Sequence, residues 1–135
     1  MSPADAYKMQ NASRWTRIEM LLELFDTTLL TLERARSAEE RGEEQIVTRE
    51  LIAAQRLVAG LIAAINPESG ELSAQLGPMY LFIVERIGAR DIAPAVRVLS
   101  TLRDAFEGIR PQAIAMELTA GFPGASTRSA IQIEV

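Results

Sequence analysis

The chain contains no cysteine and no histidine. Disulfides, thiolate and imidazole metal sites, cysteine nucleophiles, Ser-His-Asp triads and a phosphate-accepting histidine are thereby excluded. Aromatic residues make up only 5% of the chain, so its core is expected to be aliphatic. Positive charge is outweighed by negative, 14 Lys and Arg against 18 Asp and Glu. The formal net charge is -4 and no stretch gathers a basic patch, which argues against a nucleic-acid partner. All basic residues but Lys8 are Arg, a usage that reads as base composition rather than phosphate binding. No long hydrophobic run exists either: Glu23 and Asp26 interrupt the most apolar part of the first helix and no run approaches membrane-spanning length, so no membrane insertion is expected. The opening MSPADAYKMQ lacks the regions of a signal peptide, and a cytoplasmic location is the expectation.

What is present is ordinary globular material, 48% hydrophobic and 24% charged over 135 residues, enough for one domain with its own core. Residues 1–15 show no periodicity and read as a flexible N-terminal arm with one apolar anchor, Tyr7. Thr16 and Glu19 then form a capping-box pattern, with Trp15 and Met20 placed for a hydrophobic staple. Ile18, Leu21, Leu22, Phe25, Leu29 and Leu32 follow on one helical face, broadened by Met20, Leu24 and Leu30. Gly42 is suited to ending this helix in a left-handed cap. A second helix opens at the acidic Glu43 and carries Val47, Leu51, Ala54, Val58, Leu61, Ile62 and Ile65 to a turn at Asn66-Pro67.

The third helix, Gly70 to Arg90, is the most apolar. Leu72, Leu76, Met79, Tyr80, Ile83 and Ile87 share one face. Gly77-Pro78 inside it predicts a kink or a restart without change of direction. Asp91 and Pro94 start a fourth helix with Ile92, Ala95, Leu99, Leu102 and Phe106 as its stripe, expected to fade around Gly108 to Pro111. Residues 111–135 read as an irregular C-terminal tail. Within it Ala113 to Leu118 is a short helix at most, Gly121 to Ser126 a loop, and Ile131, Ile133 and Val135 alternate like a weak strand. The fold expected is all-α: an antiparallel up-down four-helix bundle over residues 16–110.

Chemistry is thinly represented. Glu39, Glu40, Glu43 and Glu44 flank a helix-helix turn and read as a solvated corner. Glu19, Glu23 and Asp26 lie on one helix, but a di-metal bundle site built on Glu-x-x-His has no His to use. No catalytic, cofactor-binding or metal-binding residue is assigned, and no cofactor is expected. The stronger lead is surplus apolar surface. Ile52, Ala59 and Ala63 stack away from the core stripe of the second helix, and Leu81, Val84 and Gly88 do the same on the third, beside Phe82. Such a face is buried between neighbouring helices, serves self-association, or receives a foreign helix.

Three segments resemble the flagellar secretion chaperones of the FliS family. Leu21-Leu22-Glu23-Leu24-Phe25-Asp26 is similar to that family's Leu-Ile-Leu-Met-Leu-Tyr-Asp segment. Leu76-Gly77-Pro78-Met79-Tyr80-Leu81-Phe82-Ile83-Val84-Glu85-Arg86-Ile87 looks like its Leu-x-x-Leu-Tyr-x-Tyr-x-x-x-Arg-Leu signature, with Phe82 for the second Tyr. Val98 to Phe106 is a third, weaker match. The resemblance runs from about Tyr7 to Ile109; Thr27 after Asp26, Pro78 and the tail depart from it. It implies a non-enzymatic cytoplasmic export chaperone whose client is the disordered C-terminal region of flagellin. By implication the client would lie on Ile52, Ala59, Ala63, Tyr80, Leu81, Phe82, Val84 and Gly88, with Tyr7 folding over the empty groove. The alternative is a structural bundle that homodimerises or scaffolds another protein through the same face.

Overall fold

The first helix, α1 (Arg17–Glu40), starts at the capping box expected for it. The Glu19 amide donates to Thr16 Oγ1 at 3.4 Å, and the Thr16 amide donates to Glu19 Oε1 at 3.1 Å. These reciprocal bonds satisfy two of the donors that a helix start leaves unpaired. The structure is a computed structural model and describes residues 15–65 and 70–120. Three further helices follow: α2 (Glu44–Ala63), α3 (Glu71–Gly88) and α4 (Ile92–Ala120). Among the described residues there is no strand.

Two of the helix ends share one device. After α1, Gly42 adopts φ 72° while its amide donates to Glu39 O and the Glu43 amide to Ala38 O. After α3, Arg90 adopts φ 60°, its amide donating to Ile87 O and that of Asp91 to Arg86 O. Both are Schellman caps, which return the last carbonyls a donor and turn the chain sharply. Gly42 is the residue expected to do this. Arg90 does it at the cost of a left-handed backbone on a side-chain-bearing residue, and its guanidinium pairs with Glu44 at the start of α2, 3.0 Å away.

Each helix packs on two others. α1 lies against α2 and α4, and α3 also lies against α2 and α4, which closes the up-down four-helix arrangement. The core is aliphatic around one aromatic group. Phe25 of α1 sits 6.4 Å from the ring of Tyr80 on α3 and 5.7 Å from that of Phe106 on α4. Buried Thr28 and Thr31 also lie on the inner face of α1. Their hydroxyls donate back to Leu24 O at 2.6 Å and Thr27 O at 2.8 Å, so neither polar group is left unpaired. Met20 and Leu30, expected to widen that face, are instead 48% and 52% exposed.

Two prolines lie inside helices. Pro78 is exposed on the outside of an unbroken α3, with Leu76 and Tyr80 on either side of it both buried. The lost hydrogen bond and the clash cost about 3 kcal/mol, and burial of Leu76, Tyr80 and Ile83, each worth about 1.5–3 kcal/mol, outweighs it. Pro111 is a correction. The fourth helix does not fade there but runs on to Ala120. Its continuation is held by the buried Ala113 and by Glu117, whose carboxylate accepts from the amide of Arg17 at 3.1 Å. A carboxylate at the N-terminus of α1 also meets the positive end of that helix's dipole. The expected loop at Gly121 to Ser126 and the alternation of Ile131, Ile133 and Val135 lie outside the described residues, as do Tyr7 and the turn at Asn66-Pro67. No described helix is long and apolar enough to cross a membrane.

Candidate functional site

The outer surface of α3 is where apolar side chains fail to find the core. Met79, Leu81 and Phe82 are 40%, 57% and 41% exposed, while Tyr80 in their midst is 1% exposed. Tyr80 is therefore a core residue and not a contact on the groove as expected. Its ring fills the space beside Phe25, and burial pushes its phenol up to about 12. Met79, expected in the core, takes the exposed place. The two neighbours lie about 100° apart around the helix, and the flat ring of Tyr80 occupies the inward position.

On α2 the outward row is Ile52, Ala59 and Ala63, all exposed, with Ile52 at 45%. Between Ile52 and Ala59 stands Gln55, half-buried, whose Nε2 donates to the Val84 carbonyl of α3 at 3.3 Å. A methyl group placed on Gly88 would lie 3.0 Å from the same nitrogen. Gln55 thus stitches the two helices where the sequence stripes converge. The Ile52–Ala59 edge lies on one side of it, and the Leu81–Val84–Gly88 edge on the other. Phe82 does not join this set. It lies about 100° around α3 from Leu81, under Arg86, whose guanidinium is 5.9 Å from its ring centre and 3.4 Å from Asp91. Gln55 itself carries no signal in the sequence, since a polar residue beside an apolar stripe is common on any helix.

A second concavity, about 220 Å³, lies between α1 and α4 and is lined by Trp15, Glu19, Glu23, Asp26, Arg103 and Glu107 among others. Its charges answer one another: Arg103 Nε donates to Asp26 Oδ1 at 2.9 Å, Arg110 meets Glu107 at 3.4 Å, and Glu19 is held in the cap of α1. Asp26, singled out by the resemblance, thereby links α1 to α4. Among the described residues no group of acidic side chains is arranged to hold a metal ion.

The geometry is that of a helical bundle with a surplus apolar surface centred on α2 and α3, and comparison with known proteins gives it a family. The family model described as flagellar protein FliS matches residues 1–113. No curated protein and no solved structure matches the chain significantly. The match covers most of the chain, which therefore belongs to the FliS family of flagellar chaperones.

Proposed function

We propose that this protein holds the C-terminal region of flagellin in the cytoplasm, keeps it from polymerising early, and hands it to the flagellar export apparatus. The observation that carries this reading is the exposed apolar surface of α3 and α2, Leu81 and Ile52 above all, on a bundle whose core is already filled. A disordered amphipathic segment gains helix by laying its apolar face there. Completing the burial of each such half-exposed side chain contributes about 1 kcal/mol, and the ordering of the segment opposes it, so binding stays reversible. The reading needs no catalytic step, nucleotide or cofactor.

Calorimetric titration of the full chain with the last forty or so residues of flagellin from the same genome tests it, a length on the scale of a wrapped disordered segment. Saturable binding near one to one is expected, with a negative heat-capacity change. Leu81→Asp should weaken it at least tenfold, while the same change at Leu118, exposed on α4, should not. Absence of heat together with a doubled mass at high concentration would replace this reading by self-association through the same face.

A further inference from the structure

The α2 edge of this surface carries charge as well as apolar area. Arg49, Ile52, Arg56, Ala59 and Ala63 follow at spacings of three and four, which makes one row along the outside of the helix. Arg49 and Arg56 are both exposed. Elsewhere Arg36, Arg41, Arg86, Arg90, Arg103 and Arg110 each meet a carboxylate. Arg49 and Arg56 meet none among the described residues, nor do Arg34 on α1 and Arg97 on α4. What distinguishes Arg49 and Arg56 is their place on this face, where the row Gln45, Arg49, Ile52, Arg56, Ala59 and Ala63 itself holds no acid, Glu50 lying off it. The two lie two turns apart with Ile52 between them. Across Gln55, the exposed acid along the α3 edge is Glu85, which likewise makes no ion pair with them.

We propose that the α2–α3 face selects an amphipathic protein helix whose apolar stripe is bordered by acidic residues, and that Arg49 and Arg56 are the selecting groups. The inference rests on this face being the client face. Its physical basis is charge complementarity against an opposing background. The chain as a whole carries -4, so its net field opposes an acidic segment while this row attracts one. A basic helix would meet like charge at the same place and be turned away. Two guanidiniums seven residues apart match carboxylates at the same spacing on a helix lying alongside, which sets its register as well as its sign.

The test uses the full chain and two synthetic amphipathic peptides with one apolar stripe, bordered by Glu in one and by Lys in the other. In low salt the Glu peptide is expected to bind about tenfold more tightly, with the advantage shrinking as salt screens exposed charges. Arg49→Gln with Arg56→Gln should abolish the preference, and Arg49→Glu with Arg56→Glu should reverse it; thermal melts confirm that these surface variants stay folded. Equal binding of the two peptides, binding of neither, a preference that survives both double variants, or self-association that blocks the face would each overturn the proposal. Titrating the flagellin segment against the same variants separates the two readings. If that segment binds wild type and double variants alike, the charge selection fails and the flagellin reading stands. If the Glu peptide shows its preference and the flagellin segment does not bind, the reverse holds.

Discussion

The side-chain amide of Gln55 on α2 donates to the carbonyl oxygen of Val84 on α3, 3.3 Å away. It is a half-buried contact made by a side chain to a backbone oxygen inside a helix. Gln55→Ala is expected to cost about 1 kcal/mol, the usual net worth of such a bond, read from the urea midpoint. Gln55→Glu should cost more at neutral pH than at acid pH, because an ionised carboxylate would face an oxygen that needs a donor. Gly88→Ala presses on the same amide and should perturb client binding more than stability. The gain of about 1 kcal/mol in helix propensity offsets the displacement of a flexible side-chain end. A large loss of stability in Gly88→Ala would show that Gln55 cannot move aside.

Tyr80 predicts an alkaline limit. Burial raises its phenol from 10.0 to about 12, so the folded state resists ionisation more than the unfolded chain does. The stability tied to this group is complete below pH 10.0 and is lost as pH rises towards about 12. Phenolate absorbance of a Tyr7→Phe variant isolates Tyr80 and should show its midpoint near the upper value. Titration near 10.0 in the folded protein would place the ring in solvent. Tyr80→Ala should cost about 3–5 kcal/mol, as large core truncations do.

Glu19 sets the opposite limit. Hydrogen bonds from the Thr16 backbone amide first, then from its hydroxyl, hold this carboxyl below its ordinary 4.5. A lowered folded value means that the contribution is present above about 4.5 and disappears as pH falls through the folded value. Thr16→Val should lower stability by about 1 kcal/mol, the typical worth of an N-cap. Glu19→Gln should flatten the loss seen in urea midpoints between neutral pH and pH about 3. An unchanged acid slope in Glu19→Gln would assign that loss to other carboxylates.

Gly42 and Gly77 should respond unequally to alanine. Gly42 stands at φ +72°, where a Cβ is strained, and Gly42→Ala should cost about 1–2 kcal/mol. Gly77 lies inside α3 with no atom beyond its chain neighbours within 4 Å of where a Cβ would stand, but Pro78 follows it, and a proline ring crowds a Cβ on the helical residue before it. For Gly77→Ala the gain of up to about 1 kcal/mol in helix propensity is offset by that clash, so a change smaller than that of Gly42→Ala is expected. Thermal melts of the pair decide it. A loss in Gly77→Ala as large as that in Gly42→Ala would mean that the turn before Pro78 needs more freedom than a regular helix does.

The helices, the Thr16–Glu19 cap, the left-handed Gly42 and the core stripes of Val47, Leu51, Ala54 and Val58 were all legible in the sequence, because each depends on residues within a turn or two of one another. The absence of cysteine and histidine, and the segments that resemble the FliS family, were likewise readable without coordinates. Other features depend on partners far along the chain. Whether Tyr80 or its neighbour Met79 turns inward is decided by Phe25, which packs against the ring from α1. Helical period alone cannot separate two adjacent residues that both border a stripe. Whether α4 survives Pro111 is decided by tertiary contacts, the burial of Ala113 and Glu117 meeting the first amide of α1, a hundred residues away in sequence. The surface between α2 and α3 exists as a unit because the two helices pack side by side, with Gln55 bridging to Val84 at their seam. Local spacing determines which residues can share a face; the energy of packing against distant helices determines which of those faces is buried and which is left for a partner.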